Sequence, residues 1–149
     1  MLVEFQQAFA DLVASPELCV SVRVNPELLN EQYKLSLQEF RQLVAVVNHP
    51  GMECNCMLYR ANRLVPLALN LPELCKALGK KLPDTLSRYW ATCRYGDSHF
   101  LLECQRFCEF VEQLLTDGEP FSDEVRLALE RESPVIALRV QASSQTNHD

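Results

Sequence analysis

In the stretch GMECNCMLYRANRL, residues 51 to 64, Cys54 and Cys56 stand one residue apart. A tyrosine, two arginines and an asparagine follow between Tyr59 and Arg63. Thiolates ligate soft metals and exchange disulfides. Arginine presents a planar fork that captures a carboxylate through two bonds at once. Zinc sites usually space their cysteines by two to four residues and take four ligands. Only Asn55 separates this pair, His49 is the nearest histidine, and no second pair stands in order behind it. The spacing speaks against a metal or redox pair at Cys54 and Cys56 and leaves their role open. Cys104 and Cys108, four apart, suit a helix that shows two thiols to one ion. Both also fall on an apolar stripe, where free cysteine packs as a small hydrophobe. Cys93 reads the same way.

In the YRANR cluster, Asn62 has Leu58, Val65 and Leu69 at −4, +3 and +7. On a helix that spacing points Asn62 into an apolar stripe. A buried amide without a partner costs about 1–3 kcal/mol. Pro66 has no N–H to offer the carbonyl of Asn62. Asn62 and Pro66 are therefore expected to form a structural polar knot. Arg60 and Arg63 flank it and are expected on the outside, in salt bridges or facing a partner. No catalytic set accompanies them: the histidines are His49, His99 and His148. There is no glycine-rich phosphate loop, no GxSxG and no HExxH. The chain reads as one that binds rather than transforms, with no catalytic residue and no metal of its own.

The elements that must position these groups are helices. The motif SPEL sets Ser15 as an N-cap before Pro16, and NPEL repeats the device with Asn25 and Pro26. SLQE pairs Ser36 with Glu39 in a capping box before LQEFRQLVAVV. NHPG ends that helix, and another is expected from about Met57 to Leu69. LPELCKALG stops at Gly79. PDTLSRYWATC places Leu82, Leu86, Tyr89, Trp90 and Cys93 on one face. The segment from Ser98 to Leu115 is the longest helix expected. Phe100, Cys104, Phe107, Cys108, Val111, Leu114 and Leu115 form its stripe, with Glu103, Arg106, Glu109 and Glu112 on the other faces. FSDEVRLALERE adds one more behind Ser122.

Two runs alternate with period two. CVSVRV also fits the helix begun at Ser15 and is read as helix. PVIALRVQ, with Ile136, Leu138 and Val140 on one side, follows a proline and is read as a strand. The fold class expected is mainly α, a compact bundle of about seven helices with a short C-terminal strand. Residues 1–141 form one helical domain and 142–149 a frayed tail.

Composition sets outer bounds. A chain of 149 residues, 48% hydrophobic, is long enough for one domain with its own core. A net charge of −6 argues against nucleic acid or an anionic membrane as partner. No apolar run approaches the ~20 residues of a membrane span. The N-terminal stretch lacks a basic start and a small-residue cleavage site, so a cytoplasmic location is expected. Seven cysteines, an odd number without an export signal, argue against a disulfide framework.

Several short pieces, in order, carry a family resemblance: Tyr59, Arg60 and Asn62; Pro72 and Gly79; Tyr89; Phe107 and Phe110; Leu129 and Glu130. Over residues 52 to 132 the chain resembles the small helical partner subunits of multinuclear non-heme iron-dependent oxidative enzymes that modify ribosomally made peptides. Within that family it is most similar to the branch acting in 3-thiaglutamate biosynthesis. Upstream, NPELLNEQYKLSLQEFRQLV resembles the helical small-subunit module of ring-opening dioxygenases. The resemblance implies a non-catalytic but required subunit. It would form a heterodimer with a larger barrel enzyme that holds the iron. It would bind the leader of a precursor peptide and present its cysteine for a modification such as β-carbon removal at a C-terminal Cys. Holding a reactant in place can itself supply about 7–11 kcal/mol of a barrier.

The peptide- or partner-binding residues expected are Tyr59, Arg60 and Arg63, with Arg139 and Arg23 reading an acidic residue of a leader that docks along 134–141 by strand addition. The other reading of 134–141 is a segment that closes the core and binds nothing. Two further functions stay open: a free-standing helical regulator or DNA-binding protein, and a small metal-binding protein using Cys54, Cys56 and others.

Overall fold

The computed structural model describes residues 2–146. They are mainly α: α1 (Leu2–Ala14), α2 (Pro16–Val24), α3 (Leu28–Gln32), α4 (Leu37–Asn48), α5 (Gly51–Asn70), α6 (Pro72–Leu78), α7 (Leu82–Thr92), α8 (Phe100–Thr116) and α9 (Asp123–Gln145). A 3-10 turn, Gly79–Lys81, separates α6 from α7. Packing groups the chain into two units, Met1–Asn62 and Arg63–Asp149. The division falls inside α5, where no proline- or glycine-rich linker marks it in the sequence.

Two of the expected N-caps act as their sequences imply, but Asn25 does not: α3 starts only at Leu28, behind Glu27, and Asn25 ends α2, its N–H donating to the Ser21 carbonyl at 2.9 Å. Ser15 Oγ accepts from the Leu18 N–H at 3.3 Å, with Pro16 in the first helical turn of α2. At α4 the Glu39 N–H donates to Ser36 Oγ at 3.2 Å, and the Ser36 N–H donates back to Glu39 Oε2 at 2.7 Å. Each such cap satisfies backbone donors that the helix leaves open, worth about 1 kcal/mol. Gly79 ends α6 at φ +51°, a left-handed conformation that side-chain-bearing residues resist.

In the first unit the core is built by Ala8 and Leu12 of α1, Cys19 and Val22 of α2, Leu29 of α3, and Leu43 and Val47 of α4. Met52 and Cys56 of α5 complete it. Asp11 is also buried, holding the hydroxyl of Tyr33 and the side-chain amide of Gln7. In the second unit the core joins Leu67, Leu74, Leu78, Leu86, Tyr89, Phe107, Val111, Val125, Leu129 and Ile136. Phe107 is completely covered and meets Tyr89 edge-on at 5.3 Å between ring centres. Burying a side chain of that size contributes about 1.5–3 kcal/mol.

Two expectations about the C-terminus are overturned. The run 134–141 is not a strand but the middle of α9, which carries Pro134 inside it. Ile136 and Val140, four apart, turn toward the core, while Leu138 is 67% exposed. That is helical geometry, and the alternation of hydrophobicity was a coincidence over a short run. The expected tail also contracts. Residues 142–145 continue α9, and 147–149 lie outside the described residues. With the backbone of 134–141 bonded within a helix, no strand edge exists there for a peptide to join. CVSVRV is helical as expected, with Cys19 and Val22 buried and Val20 and Val24 exposed.

Candidate functional site

Helix α5 carries the opening cluster, and it begins at Gly51, six residues before the expected start. Cys54 and Cys56 therefore sit in its first two turns. Two residues apart on a helix, they diverge: Cys54 is exposed and Cys56 is buried.

The face assigned to Asn62 is the reverse of the one found. Met52, Cys56, Arg63 and Leu67, spaced by 4, 7 and 4, are buried positions of α5, and Pro66 beside Leu67 is buried too. Leu58, Asn62, Val65 and Leu69, the stripe taken as inward, are exposed. Asn62 is thus no buried knot, and Arg63, expected on the outside in a salt bridge or facing a partner, is only 5% exposed. Both stripes are similarly apolar, so periodicity alone does not choose between them.

A carboxylate on another helix decides it. Glu103 of α8, 1% exposed, accepts from Arg63 Nε at 2.6 Å and from the Tyr89 hydroxyl at 3.0 Å. Arg63 Nη1 also donates to the Arg94 carbonyl at 2.8 Å, and its guanidinium lies 5.6 Å from the centre of the Tyr89 ring. A buried charge is tolerated when it is paired and hydrogen-bonded. Burial, followed by the charge of Glu103, pushes the Tyr89 hydroxyl well above its ordinary range, which keeps it a donor. Glu103 was expected on a solvent face. The overlooked signal is that Glu103, Phe107, Val111 and Leu114 follow one stripe by steps of 4, 4 and 3. Phe100, expected on the stripe, lies in the first turn of α8 and is 60% exposed.

The remaining predicted contacts are mostly engaged within their own units. Arg60 Nη2 donates to Glu17 at 2.8 Å. Arg23 Nε donates to the Val47 carbonyl at 2.9 Å, with Glu53 at 3.9 Å. Arg139 Nη1 donates to the Asn70 side-chain oxygen at 2.9 Å while its own side chain stays on the surface. Tyr59 is half-buried in α5. Pro66 is buried, and its carbonyl accepts from the Asn70 amide at 2.8 Å. Of the resemblance residues, Tyr89, Phe107 and Phe110 come together, with Phe110 at 5.5 Å from Tyr89.

Among the described residues, exposed apolar side chains and a groove can receive another molecule. The outward side of α5 shows Met57 and Leu58 in the first unit and Val65 and Leu69 in the second, at 53–75% exposure. The first unit also has a shallow groove of about 530 Å³ lined by Phe9, Ala45, Val46, Met52, His49 and Asn55. Among the described residues, no three His, Cys, Asp or Glu side chains are grouped to hold a metal ion. No described helix is long and apolar enough to cross a membrane. No protein-family model, curated protein or solved structure matches the chain.

Proposed function

We propose that this chain is a docking subunit: it binds the leader of a ribosomally made precursor peptide and presents the peptide's cysteine to an iron-dependent oxidative enzyme. The observation that carries the docking part is the pair of large apolar side chains left exposed on the second-unit part of α5. Val65 and Leu69, both in the second unit and four apart on one helix face, gain nothing from water, and exposed apolar side chains on a helix face are what a protein partner covers. The peptide and the iron enzyme come from the resemblance of residues 52 to 132. In this reading the iron stays with the larger partner, and this chain contributes position rather than chemistry. The groove beside Phe9 and Val46 suits one apolar side chain of the leader, with His49 and Asn55 at its polar rim.

Co-expression with a candidate iron enzyme and its precursor peptide tests the proposal. The expected result is a heterodimer that modifies the peptide, and a lone chain that purifies without iron. Val65→Glu and Leu69→Glu should each abolish the heterodimer and leave the melting temperature within a degree or two. Stoichiometric iron in the lone chain, or an undiminished complex in both variants, would overturn it.

A further inference from the structure

Helix α2 and helix α5 each send one buried cysteine to the same atom in the first unit. Cys19 Sγ lies 3.1 Å from the Leu12 carbonyl oxygen and Cys56 Sγ lies 3.4 Å from it. Both residues are only 2% exposed. Burial, together with the charge of the neighbouring Cys56, pushes the Cys19 thiol up to about 12. Neither sulfur has another described role. With only two thiols and one carbonyl, the site falls short of the four ligands a zinc ion takes.

We infer that Cys19 and Cys56 are a modification site, a dithiol that closes to a disulfide by exchange with a small-molecule disulfide. One sulfur attacks the small disulfide as its thiolate and forms a mixed disulfide, releasing one small thiol. The second sulfur then displaces the other half, giving the Cys19–Cys56 bond and a second small thiol. Two protein thiols are oxidised and one small disulfide is reduced; the two thiol protons end on the two released thiols. The bond would tie α2 to α5 across a loop of 36 intervening residues and restrict the unfolded chain. Burial makes the exchange wait on a local opening, so it is slow beside reaction at the exposed Cys54. Cys54 does not compete for Cys56 within the helix, because side chains two apart point to opposite sides.

The test uses the full chain carrying Cys54→Ser, treated with oxidised glutathione and then denatured, alkylated and digested with trypsin. The expected product is lighter than the reduced chain by two hydrogens. It should yield peptides 1–23 and 42–60 joined through Cys19 and Cys56, and should be restored by dithiothreitol. Its melting temperature should rise by several degrees over the reduced chain. Adding Cys19→Ser should abolish both the cross-link and the rise. Cys19 and Cys56 both alkylated after oxidation, or Cys56 linked instead to a cysteine of the second unit, would overturn the inference. A Cys19→Ser chain that fails to fold leaves the mass and the linked peptides of the Cys54→Ser chain to decide.

Discussion

Replacing Arg63 by methionine removes the Nε donor 2.6 Å from Glu103 and the Nη1 donor to the Arg94 carbonyl. It keeps most of the side chain's apolar length. Glu103, 1% exposed, then retains only the Tyr89 hydroxyl. Breaking a buried ion pair from one side costs about 3–5 kcal/mol, because a charge is left in a poorly polarisable site. At about 2–4 °C per kcal/mol for a chain of this size, the melting temperature falls by roughly 6–20 °C. The double variant Arg63→Met with Glu103→Leu removes the charge as well. It leaves one unsatisfied hydroxyl on Tyr89, a penalty of about 1–3 kcal/mol. It should therefore melt well above the single variant, and adding Tyr89→Phe should bring it close to the parent. Thermal and urea melts of the parent, Arg63→Met, Glu103→Leu and the double variant form a cycle whose coupling measures the pair. Additive losses, with the double variant no better than the sum, would refute the claim that Glu103 is what makes Arg63 buriable. A loss below about 1 kcal/mol for Arg63→Met would do so too, since that is the range of an exposed pair.

Other outcomes follow from the same geometry. Under native conditions a thiol reagent should modify Cys54 first, while Cys104 and Cys108, buried and pushed up by desolvation to about 11 and about 12, react only on unfolding; fast labelling of either would contradict their packing. Stability should decline as pH rises above 9, where unfolded thiols ionise but Cys19, Cys75, Cys104 and Cys108 stay protonated in the fold until about 11–12; an alkaline melting series with no slope there would count against it. At the acid end, the backbone N–H of Ser36 holds the Glu39 carboxyl below the usual carboxylate range, and its support for α4 should be lost as pH falls through that lowered value. Glu39→Gln should flatten that acid limb in a pH titration of helicity. Glu132→Ala should lower stability by about 1 kcal/mol in urea melts, because Glu132 accepts from the Leu74 and Glu73 N–H groups at the start of α6; an unchanged midpoint would mean water replaces it fully.

Local chemistry made much of this protein legible from its residues. Ser15 with Pro16, Ser36 with Glu39, and Gly79 act through neighbours within four positions, so their helix ends follow from sequence alone. The stripe of α8 likewise places Cys104, Phe107, Cys108 and Val111 inside, because a long helix with one dominant apolar face has one way to turn it. Three things required the tertiary structure. The face of α5 depends on Glu103, forty positions away, since two stripes of comparable apolarity compete and only a buried partner lets Arg63 go inside. The segment 134–141 alternates like a strand, but a helix covers the core with Ile136 and Val140 while α8 lies alongside to receive them. The meeting of Cys19 and Cys56 at the Leu12 carbonyl joins three helices through contacts of long sequence separation. Spacing along the chain reports which residues share a face; which face is covered, and by what, is settled by elements distant in sequence.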